Sequence, residues 1–209
     1  MANRHLYLWS LCIVASLSAC KQNDDASQGA SNNRATAQGT PALHSFQPEG
    51  KWTTKCIPGS GTSGTIAYQF SGSAYQLTLT TYLDAACTTA SQQELQTGTW
   101  ADQGTAEPGG HKVDLTLNTW GRTMLTDQAA NTASTSSLCG VSAWTKATAV
   151  SILGKTCQGS EYPMAGVVNK IIVKIDGSTF STSAGPKDSA TGYPSAYTSN
   201  ASDNLTKSQ

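Results

Sequence analysis

Charge is scarce in this chain: 13 basic and 13 acidic side chains stand in 209 residues. No stretch gathers Lys and Arg into the basic patch that nucleic-acid binding needs, so that class of partner is set aside. Electrostatic steering of a strongly charged partner is excluded on the same ground. Aromatic residues are few and separated, and His occurs only three times. No phosphate loop, His-Glu-x-x-His or EF-hand pattern is present, nor a Gly-x-Ser-x-Gly nucleophile elbow. Asp84, Asp114, Asp127 and Asp176 sit singly at strand ends or on polar faces. That placement suits turn chemistry and solvation, not a paired general acid and base. The abundant serine reads as solvated strand and loop surface. No catalytic residue, metal site or cofactor is assigned.

Long apolar runs are also lacking. The longest, Leu6 to Leu17, follows Arg4 and His5. It falls short of the roughly 20 residues that a spanning helix needs, but it suits a secretory signal. Ser18 and Ala19 end it directly before Cys20. Leu17-Ser18-Ala19-Cys20 resembles the lipobox of bacterial lipoproteins. The resemblance implies cleavage after residue 19 and diacylglycerol on the Cys20 sulfur, so that the membrane is a partner through this lipid. Lys21 stands where an Asp would resemble an inner-membrane retention signal, which favours the outer membrane. Residues 20–48 are Gln, Asn, Asp, Ser, Gly, Ala and Thr with almost nothing to bury, so they are expected to form a flexible tether.

The cysteine count narrows the mature part. Six, less Cys12 in the signal and Cys20 at the anchor, leaves Cys56, Cys87, Cys139 and Cys157. An even number in an exported chain points to disulfides. Three pairings are possible; neighbour pairing, Cys56 with Cys87 and Cys139 with Cys157, is the expectation. Close Cys-x-x-Cys spacing and a nearby His, which a zinc site would show, are missing.

Period-two alternation then organises residues 49–185. Thr65–Phe70 and Tyr75–Leu83 flank a Gly-containing break and read as a hairpin, with Tyr75, Leu77, Leu79 and Leu83 on one face. Further strands are read at Glu94–Trp100, Lys112–Trp120 and Val167–Ile175. The last turns at Asp176-Gly177, an expected type I′ turn, and returns through Thr179-Phe180. Residues 127–137 are expected to form a long loop, 141–157 to be a strand or a short helix, and 186–209 to be a weakly structured tail. Seven or eight strands in this order predict an all-β antiparallel meander, closed or nearly closed into a barrel that hides its edges.

Trp52-x-x-x-Cys56-x-Pro58, Tyr82-x-Asp84-x-x-Cys87 and Gly98-x-Trp100 resemble the lipocalin-like β-barrel domain of the adenomatosis polyposis coli down-regulated proteins. Cys139-Gly140-x-x-x-Trp144, Gly154-Lys155-x-Cys157 and Ile175-Asp176-Gly177 resemble small bacterial lipoproteins of unknown function. The resemblance spans about residues 50 to 182. It implies an extracellular barrel whose cavity takes an apolar ligand such as an acyl chain, with no catalytic residues. The chain departs from it in its sparse aromatics and in the small residues on its strands. Trp52, Tyr75, Trp100, Trp120 and Trp144 are the candidate ligand-binding residues, since large rings accept apolar faces; packing of the core is their competing role. The expected protein is a non-enzymatic lipoprotein that binds a small apolar or amphipathic molecule. The alternative is a filled barrel that contacts another envelope protein through loops, above all residues 121–138.

Overall fold

Alternation is the dominant local signal, and the chain answers it with strands. A computed structural model describes residues 46–107, 109–183, 186–195 and 204–208. The signal segment, Cys20, His44 and the tether as far as residue 45 lie outside the described residues. Eight strands of a ten-stranded sheet make up the barrel: β1 Gly50–Thr53, β2 Ser63–Ser71, β3 Ala74–Tyr82, β4 Ala90–Ala106, β5 Gly110–Met124, β6 Val168–Asp176, β7 Thr179–Ser183 and β8 Asn204–Lys207. Each pairs antiparallel with the next, and β1 pairs with both β2 and β8, so the sheet closes on itself. The expected meander is therefore a closed barrel of eight strands.

Turn chemistry sets the hairpins. Gly72-Ser73 joins β2 to β3 and Gly177-Ser178 joins β6 to β7. In each loop only the glycine has positive φ, 55° and 57°. That is the type II′ pattern, which needs positive φ at its first position alone. The type I′ turn expected at Asp176-Gly177 is thereby corrected.

Register decides what each strand hides. Tyr75, Leu77 and Leu79 stand opposite Phe70, Tyr68 and Ile66 of β2, and opposite Gly98, Gln96 and Glu94 of β4. These positions face inward. Leu83, expected to join them, lies past a register shift at Thr81/Tyr82 and is 46 % exposed. In β5 the inward positions begin as Val113, Leu115 and Leu117, all buried. The register then shifts, because Thr97 pairs with Thr119 but Gly98 with Leu117. One extra residue on β5 reverses the alternation. Beyond it the inward positions become Trp120, Arg122 and Met124.

Aromatic rings plug one end of the barrel. Phe180 lies 5.4 Å from Trp52, 5.5 Å from Tyr68 and 5.7 Å from Phe70, centroid to centroid. Phe46 caps this cluster, edge-on to Trp100 at 6.0 Å and stacked on His111 at 4.5 Å. Full burial of one such ring contributes about 1.5–3 kcal/mol. This half of the barrel is solid.

A second core forms at the other end. Residues expected as a long loop form helix α1, Asp127–Thr135, whose N-cap Thr126 accepts from the Ala129 amide at 3.1 Å. Ala130 and Ala133 of the helix pack with Met124, Trp144, Ile152 and the Cys139–Cys157 disulfide. Small residues hid this helix from the sequence reading, because Ala, Ser and Thr give little apolar periodicity. The segment left open between strand and helix holds a short strand, Ala149–Ser151, paired with β5. Both disulfides form between the expected neighbours, Cys56–Cys87 and Cys139–Cys157.

The tail also departs from expectation. Residues 204–207 form β8, with Leu205 only 1 % exposed in the barrel core, so the barrel domain extends past residue 185. Before it, Tyr193 is buried against the wall, its hydroxyl donating to Asp114 Oδ1 at 2.5 Å. Burial, reinforced by that carboxylate, holds the Tyr193 phenol well above its ordinary range. Lys112 and Lys170 lie 5.8 Å and 5.0 Å from its ring centroid.

Candidate functional site

The end opposite the aromatic plug is the barrel mouth. Strands β3 and β4 turn there, since Tyr82 pairs with Ala90, and β5 leaves the barrel there, since Gln92 pairs with Met124. The Cys56–Cys87 bridge fastens one rim, and the helix with the Cys139–Cys157 bridge covers the other. Asp84 shapes the first rim. Its carboxylate accepts from the backbone amides of Thr88, Thr89 and Ala86, which holds its pKa down at about 2.

Inside the mouth stands a polar cluster on β4 and β5. Glu94 Oε1 accepts from Arg122 Nε at 3.0 Å and from Arg122 Nη2, and Glu94 Oε2 accepts from Trp120 Nε1 at 3.0 Å. Arg122 Nη2 also donates to the Tyr162 hydroxyl at 2.6 Å, and Nη1 to Cys139 Sγ at 3.8 Å. The Tyr162 ring meets Trp120 edge-on at 4.6 Å. Burial, then the Glu94 carboxylate, raises the Tyr162 pKa, with Arg122 partly offsetting them. The side chains of Arg122 and Glu94 are 6 % and 12 % exposed. A pair this dry needs its remaining hydrogen bonds satisfied, and Trp120 and Tyr162 supply them.

The wall beside this cluster is apolar and incompletely covered. Leu79 pairs with Glu94 on one side and with Ile66 on the other. Ile66 and Leu77 rest on the barrel core, yet both, like Leu79, are only half-buried. Partial exposure here leaves apolar surface beside the Glu94–Arg122 cluster accessible to solvent. Such a surface suits a small molecule with an apolar body and an uncharged polar end, because the cluster already balances its own charge.

The sequence-predicted residues do not gather at the mouth. Trp52 and Tyr75, 2 % and 4 % exposed, belong to the barrel core. Burial pushes the Tyr75 phenol up to about 12. Trp100 sits at the plugged end and donates to the Gly72 carbonyl at 2.8 Å. Trp144 lies in the second core, 5 % exposed, donating to the Leu138 carbonyl at 3.2 Å. Only Trp120 reaches the mouth. Glu94, Arg122 and Tyr162 escaped the sequence reading because the β5 register shift turns Arg122 inward, against the parity of Val113, Leu115 and Leu117.

Other polar groups lie elsewhere. His111 Nδ1 is 3.2 Å from both Asp102 carboxylate oxygens, at the plugged end under Phe46. Among the described residues, no three His, Cys, Asp or Glu side chains converge as a metal site, and no helix is long and apolar enough to cross a membrane. On the outer face of the sheet, a groove of about 340 Å³ is lined by Gln93, Leu95, Thr119, Thr123, Val150 and Leu153 among others. Compared with protein-family models and with curated proteins, the chain matches none of them.

Proposed function

We propose that this chain is a non-enzymatic, lipid-anchored lipoprotein of the bacterial cell envelope that holds a small apolar or amphipathic ligand in the mouth of its barrel. A closed antiparallel barrel is compatible with such a role, and the resemblance to lipocalin-like domains points the same way. The observation that carries the reading is the half-exposed wall of Ile66, Leu77 and Leu79 beside the Glu94–Arg122 cluster. The aromatic plug limits the ligand to the mouth half, so a short or folded chain fits better than a long extended one. Incubating the oxidised protein with cell-envelope lipid extract and identifying what co-purifies tests the reading. Retention of a defined amphiphile supports it; a protein that retains nothing refutes it.

The Leu17-Ser18-Ala19-Cys20 motif supports the anchor. Lipid supplies about 0.8 kcal/mol per buried methylene, and two chains give stable attachment. Cys20→Ser is expected to move the protein to the soluble fraction, and membrane retention of that variant contradicts the lipobox reading. A filled barrel acting as an envelope interaction module is the second reading, favoured by the solid plug around Phe180. Crosslinking that recovers a specific envelope protein, together with no retained lipid, selects it.

A further inference from the structure

The outer surface of the barrel is divided by charge. On the side of β6, the outward positions include Lys112, Asp114 and Lys170, with Lys170 and Asp114 opposite each other. Across β2, β3, β4 and the second half of β5, the outward positions bear no charge at all. They form cross-strand rows such as Thr65, Thr80, Gln93 and Thr123, or Gln76, Thr97 and Thr119. These side chains are half-buried or exposed. The Thr97 and Thr119 hydroxyls are 2.6 Å apart, so one already bonds the other across the strands. A soluble protein surface of this extent ordinarily mixes both signs of charge.

We propose that this uncharged face, with the groove of about 340 Å³ set into it, binds a neutral glycan. Three observations favour that occupant. First, a charged partner of either sign would lose hydration with no opposite charge to meet it. Second, the outward positions on these strands hold no Trp or Arg, and their one Tyr, Tyr82, lies at the end of β3 with its hydroxyl 3.4 Å from that of Thr65; Trp, Tyr and Arg anchor most protein–protein interfaces. Third, threonine hydroxyls and glutamine amides both donate and accept hydrogen bonds, as sugar hydroxyls do. Leu95, Val150 and Leu153 give the groove an apolar floor for a sugar-ring face, while Gln93, Thr119 and Thr123 offer polar groups around it. The groove volume lies at the small end of the range for small-molecule sites, enough for one or two sugar units. This face lies on the opposite side of the sheet from the mouth, and Trp120, which also lines the groove, is the residue common to both.

Native electrophoresis of the full chain in neutral detergent, through gels containing a soluble neutral glucan or galactomannan, tests the proposal; hyaluronate serves as the charged comparator. Retardation by a neutral polymer, unchanged by added salt, is expected. Thr119→Glu and Gln93→Lys are each expected to weaken it about tenfold, while Asp176→Asn, at the exposed end of β6 and outside this face, leaves it unchanged. An unaltered melting temperature shows that the variants keep the fold, and either variant alone suffices. Four outcomes overturn the proposal. They are no retardation by any neutral polymer, retardation by hyaluronate alone, retardation indifferent to both face variants, and a face that only pairs copies of this chain, seen as a dimer that the variants dissociate.

Discussion

Glu94 and Arg122 face each other in register across β4 and β5, with Arg122 Nε 3.0 Å from Glu94 Oε1. Their pairing ties the barrel wall to the capping segment, because the same guanidinium bonds Tyr162 and reaches Cys139. Both disulfides, the helix and this ion pair belong to the mouth, while the opposite end is filled by a cluster of aromatic rings with aliphatic neighbours.

Removing one member of the pair leaves a buried charge without its partner. Arg122→Ala is therefore expected to cost about 3–5 kcal/mol of stability. The double replacement Glu94→Leu with Arg122→Met is expected to restore most of it, because an apolar pair avoids the desolvation cost. Urea unfolding of Arg122→Ala and of the double variant measures both. A double variant no better than Arg122→Ala would show that the pair is not the source of the loss.

Leu205 tests whether the last strand belongs to the barrel core. Leu205→Ala is expected to cost about 2–5 kcal/mol, as for other buried leucines. Val168→Ala, at a position 43 % exposed, is expected to change stability by no more than about 0.5 kcal/mol. Equal small effects at the two sites would place the tail outside the cooperative unit.

Asp84 sets an acid limb. Its folded-state pKa is depressed from 3.8 to about 2 by backbone amides. The stabilisation is therefore fully present above the unfolded value and is lost as pH falls through the folded one. Wild type is expected to lose its advantage over Asp84→Asn between pH 3.8 and about 2, followed by chemical denaturation at successive pH values. A stability difference unchanged across that window counts against the capping role.

Much of the barrel is legible in the sequence, and the illegible parts have physical reasons. Alternation in Tyr75–Leu79 and Lys112–Leu117, and the β-branched run ending at Ile175, announce strands in register. Helix α1 is made of small residues that give no apolar stripe. Strand β8 has four residues and one apolar side chain, Leu205, too little for a pattern. The mouth is the least visible feature. An inward Arg122 follows from a one-residue irregularity in β5, and Tyr162 joins it from 40 residues away. Rings drew attention as ligand contacts, yet Trp52, Tyr75 and Trp144 are consumed by packing.

Methyl-resolved NMR of Ile66, Leu77 and Leu79 examines the mouth most directly, with a medium-chain fatty acid and its neutral alcohol added below their micellar concentrations. Saturable shifts at these methyls are expected, larger for the alcohol, with Leu205 in the plugged half unmoved. No shift at the three mouth residues, or shifts confined to the exposed Met164, Val167 and Val168, would contradict a ligand site in the mouth of this barrel.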